Sequence, residues 1–225
     1  LFAIVASVFS GCDNEESSET VPQGRITYQI TYPYFNQNSL MASLLPKEMI
    51  MTYKGSKMKI EVNMKKLFSN VIISDEKTRS ITLLLKLSSR QMAATLNEDE
   101  IQRFLADFPD IEYLQSTKVR EYGNKTGKHT VAVFTDISRE IDVYFSDEFG
   151  LENPNWCTPF KDVTGVLLQY DMARYGLTMR FTAVKIEEIP ISESAFSIPE
   201  GYDKTPFDEI EKELIDMFSQ VQDNL

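Results

Sequence analysis

Residues 49–64 read Met-Ile-Met-Thr-Tyr-Lys-Gly-Ser-Lys-Met-Lys-Ile-Glu-Val-Asn-Met. Glycine at the first central position of a two-residue loop suits a type II′ hairpin turn. Folding about Gly55-Ser56 sets Lys54 against Lys57, Tyr53 against Met58, Met51 against Ile60 and Met49 against Val62. Every apolar pair then falls on one face. Turn chemistry and alternation specify the same register, and a one-residue slip would turn that face to water. This stretch commits the chain to antiparallel sheet.

The same period of two recurs along the chain. Ile26, Tyr28, Ile30 and Tyr32 alternate with Arg25, Thr27, Gln29 and Thr31. Further strands are expected over 69–74, 80–87, 112–122, 128–135, 140–146, 165–171 and 176–187, with a turn at Gly123–Gly127. In the last strand Leu177, Met179 and Phe181 alternate, whereas Val184 and Ile186 fall in the opposite phase. A bulge or a strand buried on both faces accounts for the slip.

Helices are few. Asn97 with Glu100 three residues on forms a capping box, and Ile101, Phe104, Leu105 and Phe108 make an apolar stripe ended by Pro109. A second helix opens at Thr205 with Pro206 in the first helical position. Phe207, Ile210, Leu214, Met217, Phe218 and Val221 give its stripe. A short helix is expected over 39–45. The fold expected is α+β, mainly β: one strongly curved antiparallel sheet, a half-barrel of about ten strands, covered on its concave side by two or three helices.

The N-terminus locates the protein. Residues 1–9 are almost wholly apolar, about the length of a signal-peptide core and half of what spans a bilayer. With no initiator Met and no basic leader, residue 1 is expected to fall inside that peptide. Ser10-Gly11-Cys12 follows, then Asp13 to Thr20 with four acids, no base and no large apolar residue. Ser-Gly-Cys after an apolar run resembles the lipobox of bacterial lipoproteins, with Phe9 where Leu is usual. Cys12 is therefore the expected lipid attachment. The expected organisation is a signal-peptide remnant over 1–11, a flexible acidic tether over 12–24, one domain over 25–204, and an amphipathic helix over 205–225 that packs on it.

The 225 residues carry 34 acids and 23 bases, a net charge of −11. That balance argues against nucleic acid as a partner, because phosphate neutralisation needs clustered Lys and Arg. Membrane attachment would rest on acyl chains rather than on basic residues. With Cys12 lipidated, Cys157 is the one remaining thiol; Trp156 and Phe160 nearby predict that it is buried.

Five segments together resemble a family of Bacteroidetes-type lipoproteins of unknown function, akin to LolA-like and mycobacterial LppX/LprG-like carriers. They are LLPKEMIMTYKGSKMKIEV (44–62), SNVIISDEKTRSITLLLKL (69–87), TGKHTVAVF (126–134), EIDVYFSDEFG (140–150) and YGLTMRFTAVKIEEIPISESAFSIPEGY (175–202). The resemblance implies a half-barrel and an outer-membrane-anchored protein of the cell envelope, periplasmic or surface-exposed. It carries no catalytic residue. Related sequences often place a Cys near His129 or Thr130, and this chain has none there.

Nothing in the sequence reads as an active site. His129 is the single histidine, beside a turn and expected to be exposed, and a triad or zinc centre needs partners at set spacing. Gly123 to His129 has one residue too few and lacks the Ser or Thr of a phosphate loop. Acid pairs at Glu98/Asp99, Asp107/Asp110, Asp147/Glu148 and Glu187/Glu188 suit a solvated surface. No catalysis, metal or cofactor is expected.

The methionines stand out: Met49, Met51, Met58 and Met64 on one hairpin, Met172 and Met179 by the last strand. Such side chains suit plain core as well as the lining of an adaptable cavity. The expected function is an envelope protein that binds a lipid or acyl chain. Its inward-facing residues would be Ile26, Tyr28, Met49, Met51, Met58, Ile60, Leu83, Leu85, Met179 and Phe181. The alternative is a module with a plugged barrel that meets an envelope protein or a glycan.

Overall fold

The computed structural model describes residues 21–34, 45–64, 68–106, 108–135, 139–174 and 177–222. Residues 1–20, with Cys12 and most of the expected tether, lie outside them, as does the expected helix up to residue 44.

The first six strands are β1 (Gln23–Thr31), β2 (Glu48–Lys54), β3 (Lys57–Met64), β4 (Phe68–Asp75), β5 (Ser80–Leu87) and β6 (Arg90–Thr95). Helix α1 (Glu98–Ala106) leads to β7 (Ile111–Tyr122), β8 (Lys125–Phe134), β9 (Arg139–Ser146), β10 (Val166–Arg174) and β11 (Leu177–Glu187). A 3-10 turn (Glu193–Phe196), the short β12 (Asp203–Lys204) and helix α2 (Phe207–Gln222) complete the described chain.

All twelve strands form one sheet, ordered β12-β6-β5-β4-β3-β2-β1-β11-β10-β9-β8-β7. Two meanders grow outward from the central antiparallel pair β1–β11. β12 alone pairs in parallel, with β6.

The hairpin register is as the sequence dictates, from Lys54↔Lys57 to Met49↔Val62. Gly55 takes the positive φ of 56° that a II′ turn requires at its first central position. The phase slip in β11 is a bulge. Thr27 pairs with Lys185 but Tyr28 with Ala183, so Val184 is squeezed out to solvent and Ile186 returns to the core opposite Ile26. The β7–β8 turn is tighter than expected. It is Gly123-Asn124 alone, because Gly127 lies in β8 where a Cβ would strike the Tyr122 ring at 2.8 Å.

The expected half-barrel is not what forms. The strand and helix counts among the described residues are close to those expected, at twelve strands and two helices, but the sheet is open at β12 and β7 and is not strongly curled. Its two helices do not cap a concave opening. Phe104 of α1 and Phe207, Ile210 and Leu214 of α2 pack on Phe68, Ile81, Leu83 and Leu85 of β4 and β5 and on Met92 and Ala94 of β6. The opposite face of those strands is covered too, by Phe196 and Tyr202 over Val71, Ile73, Leu84 and Ala93. A layer packed on both faces has no cause to wrap around an interior. The central strands and β9–β11 build a second core with the 147–165 loop, which contributes Phe149, Phe160 and Val163.

Candidate functional site

The site lies between the inner face of the sheet and the two helices. The capping box opens α1 as its residues require: Glu100 N donates to Asn97 Oδ1 at 3.0 Å, and Asn97 N donates to Glu100 Oε2 at 2.8 Å. α2 is aimed by a chain that crosses the sheet edge, where Thr205 N donates to Ala93 O at 2.9 Å. Arg90 on β6 then reaches Glu209 and Glu213, one turn apart on α2. These pairs are half exposed and set direction; the buried stripe supplies the attachment.

Two cavities lie beneath α2. The inner one, about 120 Å³, is bounded by Tyr32 just beyond β1, by β2–β5, β10 and β11, and by both helices. The outer one, about 600 Å³, lies at the ends of β8, β9 and β10, between the residues that follow α1 and the exposed side of α2. Met172, Arg174 and Glu211 line both.

Of the ten residues expected to face a ligand, Met49, Ile60, Leu83, Met179 and Phe181 line the inner cavity. Ile26, Tyr28, Met51, Met58 and Leu85 are buried in packed core and line no cavity described here. Alternation places them on the apolar face but does not say what packs on it. Tyr28 donates its hydroxyl to Leu167 O at 2.7 Å and sets its ring edge-on to Tyr170. Phe160 from the 147–165 loop closes over Tyr170, and Leu85 lies in the core under the helices. Tyr32, Val62, Phe68, Met172, Leu214 and Phe218 also line the inner cavity. Tyr32 and Val62 continue strand alternations, and Leu214 and Phe218 belong to the helical stripe, so the signal for them was present.

The polar groups around the cleft are few. The Tyr32 hydroxyl donates to Pro46 O at 2.6 Å, and burial raises its pKa well above the usual tyrosine value. Burial does the same to Tyr170, whose ring stacks on Phe181 at 4.9 Å. Asp171 on β10 is buried and takes Arg180 in a fork, Nε to Oδ1 at 2.7 Å and Nη2 to Oδ2 at 3.0 Å. Arg139 donates Nη1 to Thr178 Oγ1 at 3.2 Å, and its Nη2 stays 4.0 Å from Asp171 Oδ2.

Other residues weighed for chemistry are placed as follows. His129 is buried, not exposed, because Tyr144 packs 4.8 Å from its ring; its Nε2 lies 2.7 Å from Asp142 Oδ1. Asp147 and Glu188 are drawn below the usual carboxylate range by hydrogen bonds from Lys128 and Lys125. Glu98 and Asp99 sit in the first turn of α1. Cys157 is buried, which pushes its thiol pKa up. Among the described residues no three His, Cys, Asp or Glu side chains converge as a metal site, and no helix is long and apolar enough to cross a membrane.

No family model matches the chain, and no curated protein matches it. Among solved structures it is similar to PNGF-II, with a TM-score of 0.53 at 16% identity over 88% of this chain. The match covers 33% of that protein, so this chain spans about a third of its length. At such identity the likeness is one of fold alone. PNGF-II is not a LolA-like lipoprotein, so the resemblance read from the sequence gains no support from it.

Proposed function

We propose that this chain is a lipid-anchored protein of the cell envelope that binds an apolar ligand, a lipid or acyl chain, in the cleft beneath α2, without catalysing a reaction on it. The observation that carries the reading is the pair of adjoining cavities with Met172 in their common wall and Met49 and Met179 behind it. The outer cavity, at about 600 Å³, falls within the roughly 300–1,000 Å³ of small-molecule sites, and the inner one does not. The outer space therefore takes the bulk of a ligand and the inner one the tip of its chain. Methionine suits such a wall because it repacks around varied apolar shapes.

Topology supplies a direction. The chain enters the sheet at Gln23, the end of β1 that pairs with Lys54 beside the Gly55 turn. Phe134, Arg139 and Arg174 of the outer cavity stand at the opposite ends of their strands. A nine-residue strand such as β1 spans about 30 Å at roughly 3.3 Å per residue. A protein tethered through Cys12 would thus carry its cleft on the side away from its anchor and exchange ligand there.

The test is to purify the full chain gently from membranes and record native and denaturing mass spectra side by side. Extra mass that disappears on denaturation and extracts into organic solvent supports the reading and names the ligand class. A bare mass, with no uptake from a lipid extract, refutes it in favour of a protein- or glycan-binding module. Cys12→Ser should release the protein from membranes; continued attachment would refute the anchor.

A further inference from the structure

Three buried side-chain polar atoms among the described residues have no hydrogen-bond partner: Tyr113 Oη, His129 Nδ1 and Arg139 Nη2. Neither Tyr113 nor His129 lines a cavity described here, whereas Arg139 lines the outer one. Arg139 is also the one charged donor of the three. An ionised N–H withdrawn from water without an acceptor is costly, and native proteins rarely leave one so.

Asp171 stands 4.0 Å from Arg139 Nη2, near enough to attract its charge but too far to accept a hydrogen bond from it, while its two oxygens each accept from Arg180. On its other side the guanidinium meets the ring of Tyr34 at 5.0 Å, an attraction that supplies no acceptor. Tyr34 is three-quarters exposed, so it can turn aside at little cost. Among the described residues the charged side chains lining the outer cavity are Arg139, Arg174, Asp171 and Glu211, and Asp171 forks with Arg180.

We propose that the ligand of the cleft is an alkyl chain with an anionic head, a carboxylate or a phosphate monoester, whose oxygen accepts from Arg139 at the cavity wall while the chain runs inward past Met172 toward Met179. Arg174 is the second cation of that wall, and Phe134 and Ile141 supply its apolar floor. The inference rests on the apolar-cleft reading and narrows it. An oxygen of the head replaces the acceptor that Arg139 lacks, and the alkyl chain leaves water, so the two halves of the ligand draw on different parts of the same site.

The experiment compares four ligands of one chain length on the full chain: dodecanoate, dodecyl phosphate, dodecanol and dodecyltrimethylammonium, each titrated calorimetrically below its micelle concentration or, for dodecanol, its solubility limit. The anions should bind about tenfold tighter than dodecanol, as expected for one charge-assisted hydrogen bond. Arg139→Gln should remove that preference, bringing the anions down to the affinity of dodecanol. Arg139→Lys, which keeps the charge, should retain most of it, with far-UV dichroism reporting that both variants are folded. A better fit for dodecanoate would indicate a free fatty acid, and for dodecyl phosphate a lipid with a phosphate monoester head. Equal binding of dodecanol and the anions, or a preference that survives Arg139→Gln, overturns the anionic head and leaves the apolar cleft standing. Failure of all four to bind overturns both.

Discussion

Replacing Phe181 by Ala tests whether the inner cavity is a defect in the core or part of a cleft. Phe181 is 2% exposed, pairs with Ile30 across β1–β11 and stacks on Tyr170 with an interplanar angle of 17°. Phe→Ala in a core costs about 3–5 kcal/mol, made up of lost transfer energy and a cavity term. The lower end applies here, because one side of the ring already borders a void of about 120 Å³ and has fewer contacts to lose. A loss of about 3 kcal/mol in a chain of this size lowers Tm by roughly 6–12 °C. The space vacated opens onto the cleft, so an apolar ligand should restore more stability to the variant than it adds to the parent. The assay is thermal unfolding followed by circular dichroism, with and without dodecanol. A fall in Tm below about 2 °C would mean that the ring is not load-sharing core as described. A full fall with no larger dodecanol shift in the variant would mean that the void does not communicate with the cleft, and the size argument would fail with it.

Asn97→Ala removes the side-chain acceptor of Glu100 N, while its backbone N–H can still donate to Glu100 Oε2, and should cost about 1 kcal/mol, or roughly 2–4 °C in Tm, with Glu100→Ala on top adding less than its separate cost because the two bonds brace one turn; strictly additive losses would contradict the reciprocal cap. Alkaline titration should divide the tyrosines: Tyr53 is pushed up from 10.0 to about 12 by burial and then by Glu188, and burial raises Tyr28, Tyr32 and Tyr170 as well. A folded-state pKa above the unfolded value gives stability that is complete below about pH 10 and is lost as pH rises through the folded value. Absorbance at 295 nm should therefore show exposed phenols ionising first and the buried set only as far-UV dichroism reports unfolding. One transition near pH 10 in a protein still folded would refute the burial of these rings.

What the sequence made legible is what neighbouring residues decide between themselves. Gly55 and the alternation around it set a register without reference to the rest of the chain, and Asn97 with Glu100 set a helix start. The slip at Val184 was readable as a bulge or as double burial, and the partner strand decided for the bulge. β6, Arg-Gln-Met-Ala-Ala-Thr, was passed over because two adjacent alanines carry no alternation, and the two residues of β12 carry no pattern at all. The mistaken curvature came from a quantity that no local pattern encodes. A strand with one apolar face is the same string of residues in a flat sheet and in a barrel. The difference lies in what covers the other face, and Phe196 and Tyr202 reach β4–β6 from more than a hundred residues away in the chain.

The same long-range packing explains why a cleft exists where it does. The sheet carries two cores side by side. One is closed by the loop that delivers Phe149, Phe160 and Val163, the other by α1 and α2. The loop also sends Trp156 and Cys157 into the helical core, and the inner cavity lies along the seam between the two. Tyr32, Met49, Met179 and Phe181 belong to the first core, Phe68, Leu83, Phe104 and Leu214 to the second, and all eight line that one space. Phe218 packs against both cores and, late in α2, spans the seam. The side chains along a seam must fit an irregular gap rather than a regular layer. Flexible thioethers do so at little cost in strain, which accounts for Met49, Met172 and Met179 there. Met51 and Met58, on the same hairpin as Met49, sit away from the seam and are ordinary core. Methionine content therefore did not mark the cavity-lining residues, and position relative to the boundary between the two covers does. The two methionines also offer a matched control. Widening the seam at Met179 should alter ligand uptake, and an equal truncation at Met51 should alter stability alone.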